Sequence, residues 1–154
     1  MYGTTPNPTF IRNTILQGSI GVTKVASDAT IYPGYLIYMD ETEHVAKPLD
    51  SDAHAANLLG AAYDQTPTES FGEQLSDFCY YRADGTNEIE LAATPGETYY
   101  ENTPVYSDGT PVGCTNVVGT NCIGYVRLKK GVTSVTAVAG TRIRIQLISP
   151  YAGV

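Results

Sequence analysis

An all-β fold is what this sequence predicts: a small sandwich or β-barrel domain with a weak internal duplication and an extended N-terminal arm. Three observations carry that expectation. Turn-forming dipeptides recur along the chain, at Pro33-Gly34, Asp84-Gly85, Pro95-Gly96, Asp108-Gly109 and Lys130-Gly131. In such pairs Gly supplies the positive φ, and Pro or Asp the bend, that a chain reversal needs. Between the turns lie short runs rich in Val, Ile, Tyr and Thr, residues that suit a pleated, half-buried surface. Many short strands joined by regular turns mean a sandwich or a barrel. The third observation is that the two halves of the chain repeat one order of residues.

Taken in order, residues 1–18 read as an arm. Pro6 and Pro8 hold the backbone extended, and Phe10, Ile11, Ile15 and Leu16 are spaced too irregularly for a helix. Residues 19–154 read as one β-barrel domain, with repeat copies at about 24–82 and 90–149. Within it, Ser51 to Leu59 has the makings of a short helix, with Ser51 as N-cap and Gly60 just past the end. The stretch Leu58-Leu59-Gly60-Ala61-Ala62-Tyr63 fits a buried strand equally well. The clearest alternation is at Thr141–Leu147, where Ile143, Ile145 and Leu147 face one way and Arg142, Arg144 and Gln146 the other.

The duplication pairs Tyr32, Tyr38 and Asp40 with Tyr100, Tyr106 and Asp108, each at an offset of 68. Leu59-Gly60-Ala61 then parallels Ile123-Gly124-Tyr125 at an offset of 64, and Phe71-Gly72-Glu73 parallels Ala139-Gly140-Thr141 at 68 again. Each copy reads as an edge strand, a polar turn, a strand through an apolar-Gly pair, a loop, a Gly turn and a final strand. Gly60 and Gly124 are expected to permit a close backbone approach or a bulge inside the sheet.

Composition narrows the function. The chain of 154 residues is 42% hydrophobic but only 16% charged, and sixteen acids against nine bases give a net charge of −7. That field repels phosphate, which argues against nucleic acid or an anionic membrane as partner. No run approaches the roughly 18–20 apolar residues a membrane helix needs. The opening residues have neither a basic n-region nor an apolar h-region, so synthesis and folding in a cytoplasm are expected. Twelve Tyr, three Phe and no Trp lean towards binding, because Tyr packs an apolar ring while keeping a hydroxyl for a partner. Cys79, Cys114 and Cys122 do not form a disulfide framework. Cys114 and Cys122 flank a segment short enough to close a small loop, whereas a reducing compartment favours free thiols.

No catalytic machinery is legible, and no metal or cofactor is expected. His44, Asp50, Asp52 and His54 gather metal-ligand types within eleven residues, but without the paired spacing of a zinc site. Nor is this an EF-hand loop: Ala55 stands where the obligatory Gly belongs and Ala61 where the bidentate Glu belongs. A solvated polar connection is the plainer reading. Gly18-Ser19-Ile20-Gly21 is not a nucleophile elbow, and Cys79 reads as a small apolar residue in a strand. The carboxylate groups Asp40/Glu41/Glu43 and Glu88/Glu90 fall in turn-like polar stretches, and no Trp is present to stack sugars. Arg142 and Arg144, with Lys129-Lys130, make the one basic cluster, expected as a salt-bridging or subunit-contact face.

The order Thr30-Ile-Tyr-Pro-Gly-Tyr-Leu-Ile-Tyr-Met-Asp40, then His44-Val-Ala-Lys-Pro48, then Leu59-Gly-Ala-Ala62, then Gly72-Glu-Gln-Leu75 resembles the head decoration (cement) proteins of tailed viruses. The likeness spans about residues 24–148. It implies a small β-barrel or β-tulip-like domain, a trimer seated over local three-fold axes of the shell, and an arm that grips the major capsid protein. Residues 1–18 would fill that role through Pro6, Pro8, Phe10, Ile11, Ile15 and Leu16. The expected place is then the outer surface of a virion capsid, after synthesis in the host cytoplasm. Unusual length and Tyr content set the chain apart from the smallest members. The alternative function is a receptor- or glycan-binding adhesin of a virion or tail, and a glycan hydrolase comes third.

Overall fold

The structure, a computed structural model, describes residues 20–26, 28–66 and 75–149. The arm, with Pro6, Pro8, Phe10, Ile11, Ile15 and Leu16, lies outside the described residues, as does Phe71-Gly72-Glu73. Twelve strands are present among those described. β1 (Ile20–Val25), β2 (Leu36–Asp40), β3 (Val45–Pro48), β4 (Leu58–Ala62) and β5 (Leu75–Arg82) belong to the first half. β6 (Asp84–Ala93), β7 (Thr98–Tyr100), β8 (Pro104–Ser107), β9 (Gly113–Thr115), β10 (Cys122–Val126), β11 (Ser134–Thr136) and β12 (Arg142–Ile148) belong to the second.

The fold is all-β, and the five-stranded ring of the first half recurs in the second. β1-β3-β2-β4-β5 closes into one barrel and β6-β9-β8-β10-β12 into another, while β7 and β11 form a separate ribbon. Where one barrel was expected over 19–154, there are two, because each half closes its own ring of hydrogen bonds and leaves no edge to continue into the other. The pairings coincide position by position. β1 runs parallel to β3 with Val25 opposite Ala46, as β6 does to β9 with Ala93 opposite Cys114, both partners displaced by 68. β2 pairs with β4 through a register shift between Ile37 and Tyr38, and β8 with β10 through one between Cys122 and Gly124. β5 and β12 close the rings antiparallel to β1 and β6, with Tyr80 opposite Gly21 and Ile145 opposite Ile89.

Gly60 and Gly124 sit at the matched bulges. A Cβ on Gly60 would lie 1.8 Å from the Tyr81 carbonyl oxygen, and one on Gly124 2.5 Å from that of Gln146. Both approaches exclude any side chain, so the shared apolar-Gly pair marks where the bulged strand presses on its neighbour.

Strand alternation sends matching residues inward. Val25, Ile37, Ala46, Ala62, Phe78 and Tyr80, with Ile31, fill the first barrel. The corresponding Ala93, Val105, Cys114, Val126, Ile143 and Ile145, with Tyr99, belong to the core of the second. Volume is exchanged between sites: the first barrel has Phe78 and Tyr80 where the second has Ile143 and Ile145, and Ile31 where the second has Tyr99. Such compensation keeps native packing density with a different set of side chains.

The barrels share a core. Leu36, Tyr38, Leu49, Ala55, Leu58 and Ala61 lie outside the first barrel's own cluster and pack with the second barrel's interior residues. At about 25 cal/mol per Å² of apolar surface, burial of this kind is what binds the halves. The Leu36 N–H donates to the Pro111 carbonyl across the junction at 2.7 Å. Asp52 accepts from the Thr120 and Asn121 amides at 2.9 and 3.1 Å. The reversal expected at Asp84-Gly85 is instead a bend at buried Ala83, which hands the chain from β5 directly into β6. Over 51–62 the strand prevails: Leu58–Ala62 is β4, and only His54–Asn57 forms a single 3-10 turn. Pairing with β2 and β5 on both sides satisfies the backbone of this segment in a way one helical turn does not.

Candidate functional site

The duplication exposes one face on each barrel at equivalent positions, and the two faces have opposite chemistry. On the first barrel, Ile20 and Val22 of β1 point outward beside Tyr81 and Cys79 of β5, their direct cross-strand partners. The next residue after β4, Tyr63, donates its backbone N–H to the Cys79 carbonyl at 3.0 Å. Its ring meets that of Tyr81 edge-on, with centroids 5.5 Å apart. Ile20, Val22 and Tyr63 are 54%, 57% and 54% exposed, so this is an apolar and aromatic surface open to solvent. Burial first, then neighbouring Tyr63, pushes the Tyr81 hydroxyl above its ordinary value, which keeps it neutral.

On the second barrel the same positions hold Glu88 and Glu90 of β6, Arg144 and Gln146 of β12, and Arg127 after β10. The backbone contact is conserved between copies: the Arg127 N–H donates to the Arg144 carbonyl at 2.8 Å. The ring contact is replaced by a hydrogen bond from the Arg127 guanidinium to Gln146 Oε1. A second Arg127 bond reaches Asn102 Oδ1 at 2.7 Å. Glu90 lies directly opposite Arg144, and Glu88 opposite Gln146. These two carboxylates therefore stand on a strand face, not in the turn-like stretch the sequence suggested. Beside them opens a groove of about 290 Å³ lined by Arg127, Lys129, Arg142, Arg144 and Glu90, with Leu128, Val132 and Val135 as apolar wall. Arg142 and Arg144 flank this groove.

The remaining candidate groups have structural surroundings. The His44–His54 stretch does not converge. His44 occupies a positive-φ position, 58°, at the end of the β2–β3 turn, whereas His54 stacks on Tyr38 with ring centroids 4.3 Å apart and holds Asp50 at 2.6 Å. Asp52 is spent on the inter-barrel amides. Among the described residues no group of three or more His, Cys, Asp or Glu is placed to hold a metal ion. Cys79, Cys114 and Cys122 are not joined in disulfides. Burial, the largest cause, pushes the thiols of Cys114 and Cys122 up from their ordinary range, and a protonated thiol is a poor nucleophile.

Two polar clusters hold turns. In the β2–β3 turn Asp40 accepts from the Thr42 and Glu43 amides at 2.8 and 3.1 Å and from Lys47 at 2.7 Å. The Lys47 bond, followed by those amides, draws the Asp40 carboxyl down to about 2. In the second barrel Glu97 receives the Tyr99 hydroxyl at 2.8 Å, the Thr115 hydroxyl at 2.7 Å and the Asn116 amide at 2.8 Å.

The sequence reading missed the apolar face. Its signal was present in the alternation of Ile20 and Val22 about Gly21, which the repeat aligns with Glu88 and Glu90 about Ile89. No protein-family model matches the chain, and no curated protein matches it in sequence. The class its architecture defines is a duplicated all-β barrel domain. Among the described residues no helix is long and apolar enough to cross a membrane.

Proposed function

We propose that this protein is a structural virion component, a decoration protein that binds the outer surface of a capsid shell, self-associates there as a homotrimer and stabilises it. It would be made in the host cytoplasm and act without a cofactor or a catalytic step. The observation that carries the reading is the exposed face of Ile20, Val22 and Tyr63 on the first barrel. Exposed apolar side chains in one contiguous strand face favour a protein partner, since covering them removes apolar area from water. That face stands where residues 1–19 enter β1, so an arm and a face would engage one partner together. The partner assigned is the major capsid protein, on the resemblance in residue order described above.

The arm supplies the test. Deleting residues 2–12 removes Pro6, Pro8, Phe10 and Ile11 but none of the barrel strands. The truncated protein is expected to melt within a few degrees of the full chain and to be washed from capsid shells that retain the full chain. Equal retention of both proteins would contradict the reading. Binding of the full chain to soluble glycans with no retention on shells would favour the adhesin function instead.

A further inference from the structure

The charged face of the second barrel is not required by the fold. The first barrel builds the same strands and the same closing hydrogen bonds with Val22, Tyr63 and Cys79 where the second has Glu90, Arg127 and Arg144. Five of the chain's nine bases nevertheless collect here, at Arg127, Lys129, Lys130, Arg142 and Arg144. Four of them line the 290 Å³ groove against the single carboxylate of Glu90. Guanidinium forks over an apolar wall are suited to carboxylates carried on short aliphatic stems.

The complementary charge is on the other half of the same chain. Residues 20–83 carry ten acids and three bases, while residues 84–149 carry six acids and five bases. The first barrel's acids include a convex element, the β2–β3 turn Asp40-Glu41-Thr42-Glu43, in which Glu41, Thr42 and Glu43 are all exposed. Lys47 bridges two of its three carboxylates, Asp40 and Glu43, and its one positive charge leaves the turn net acidic. The equivalent turn of the second barrel is already a docking element. Asp108 caps Thr110 there as Asp40 caps Thr42, and Pro111, in the place of Glu43, accepts the Leu36 amide from the first barrel. One copy of this turn is therefore engaged with the other barrel, and the other is solvent-exposed and net acidic.

We infer that the groove between β12 and residues 127–135 binds carboxylates, and that the acidic turn Asp40–Glu43 of a second copy of this chain occupies it. The contact is head-to-tail, first barrel to second barrel, so it closes into a ring or propagates according to the rotation it imposes. It rests on the self-association in the proposed function and is independent of binding to a shell. Two chains of charge −7 repel at long range. Salt at about 0.15 M screens that repulsion beyond roughly 8 Å and leaves contact pairs in place.

Sedimentation equilibrium of the full chain tests it. Arg142→Glu with Arg144→Glu reverses the groove, Glu41→Lys with Glu43→Lys reverses the turn, and the milder Arg144→Gln serves if the first pair melts early. Each variant, with its thermal midpoint checked, is expected to lose at least about tenfold in self-association constant. An equimolar mixture of the two reversed variants is expected to recover association. A monomeric wild type, variants that associate as the wild type does, or a mixture no stronger than its components would each overturn the inference. So would a groove variant that loses binding to polyglutamate while keeping self-association, because the occupant would then be a different acidic chain. Shell retention is recorded on the same samples, so failure of the decoration reading is seen there and failure of this one in the sedimentation.

Discussion

Glu97 shows how much a single side chain can hold when it replaces a hydrophobic contact. Burial alone would raise its carboxyl, but the hydroxyls of Thr115 and Tyr99 and the Asn116 amide stabilise the charged form and bring it below 4.5. Tyr99 in turn is fully buried and accepts the Thr94 amide at 3.0 Å, where the first barrel has only Ile31. A carboxyl held low in the folded state stabilises the protein above its unfolded value, and that contribution is lost as pH falls through the folded value. Asp40, drawn down to about 2, acts in the same direction. Glu97→Gln keeps the shape and removes the charge, leaving the Tyr99 and Thr115 hydroxyls a weaker acceptor. It is expected to cost about 1–2 kcal/mol in urea unfolding at neutral pH. The cost should shrink in acid, as pH falls through the lowered folded value and the wild-type carboxyl itself becomes protonated. A cost that persists unchanged in acid would show that the carboxylate charge is not what the network uses.

At the scale of elements, the matched bulges are the sharpest consequence of the duplication. Gly60→Ala and Gly124→Ala each drive a methyl into a carbonyl of the neighbouring strand, and each is expected to cost about 3 kcal/mol or more. Two costs of similar size would follow from one geometry used twice. A neutral substitution at either site, by thermal or urea melting, would mean that the strands separate there at no expense. Much of this was legible in the sequence. The offset of 68 at Tyr38/Tyr106 and Asp40/Asp108 carries through β1/β6, β2/β8 and β3/β9, and the slip to 64 at Gly60/Gly124 is a real shift in β4/β10. Ring closure was not legible. Whether twelve short strands make one barrel or two depends on which edges meet, and β1 reaches β5 across more than fifty residues. The Ser51–Leu59 ambiguity had the same root: the local signals at Ser51 and Gly60 favour a helix, and pairing on both sides of β4 overrides them.

For the whole molecule, the shared core decides how the two barrels behave. Leu36, Tyr38, Leu49 and Leu58 are buried in one cluster with second-barrel residues, so residues 20–83 alone are expected to leave apolar side chains in water. That fragment is expected to aggregate or remain unfolded, and the intact chain to melt in a single transition. Two separate calorimetric transitions would mean that the junction contributes little. Reading the site followed the same logic. Arg142 and Arg144 announced themselves by alternation with Ile143 and Ile145, whereas Ile20, Val22 and Tyr63 look like ordinary core residues in sequence. Only the repeat shows that they occupy the outward positions of Glu88, Glu90 and Arg127.

The claim that organises the functional account is that the outer apolar face of the first barrel is the surface a partner covers. Val22→Glu places a charge at its centre without touching either core, and Val138→Glu makes the same change at an exposed valine of the second barrel, 65% accessible. Burying an unpaired carboxylate in an apolar contact costs several kcal/mol, so retention on capsid shells is the direct measurement. The account predicts that Val22→Glu, folded and melting close to the wild type, is lost from shells at concentrations where Val138→Glu and the wild type stay bound. Retention of Val22→Glu equal to that of Val138→Glu would contradict it.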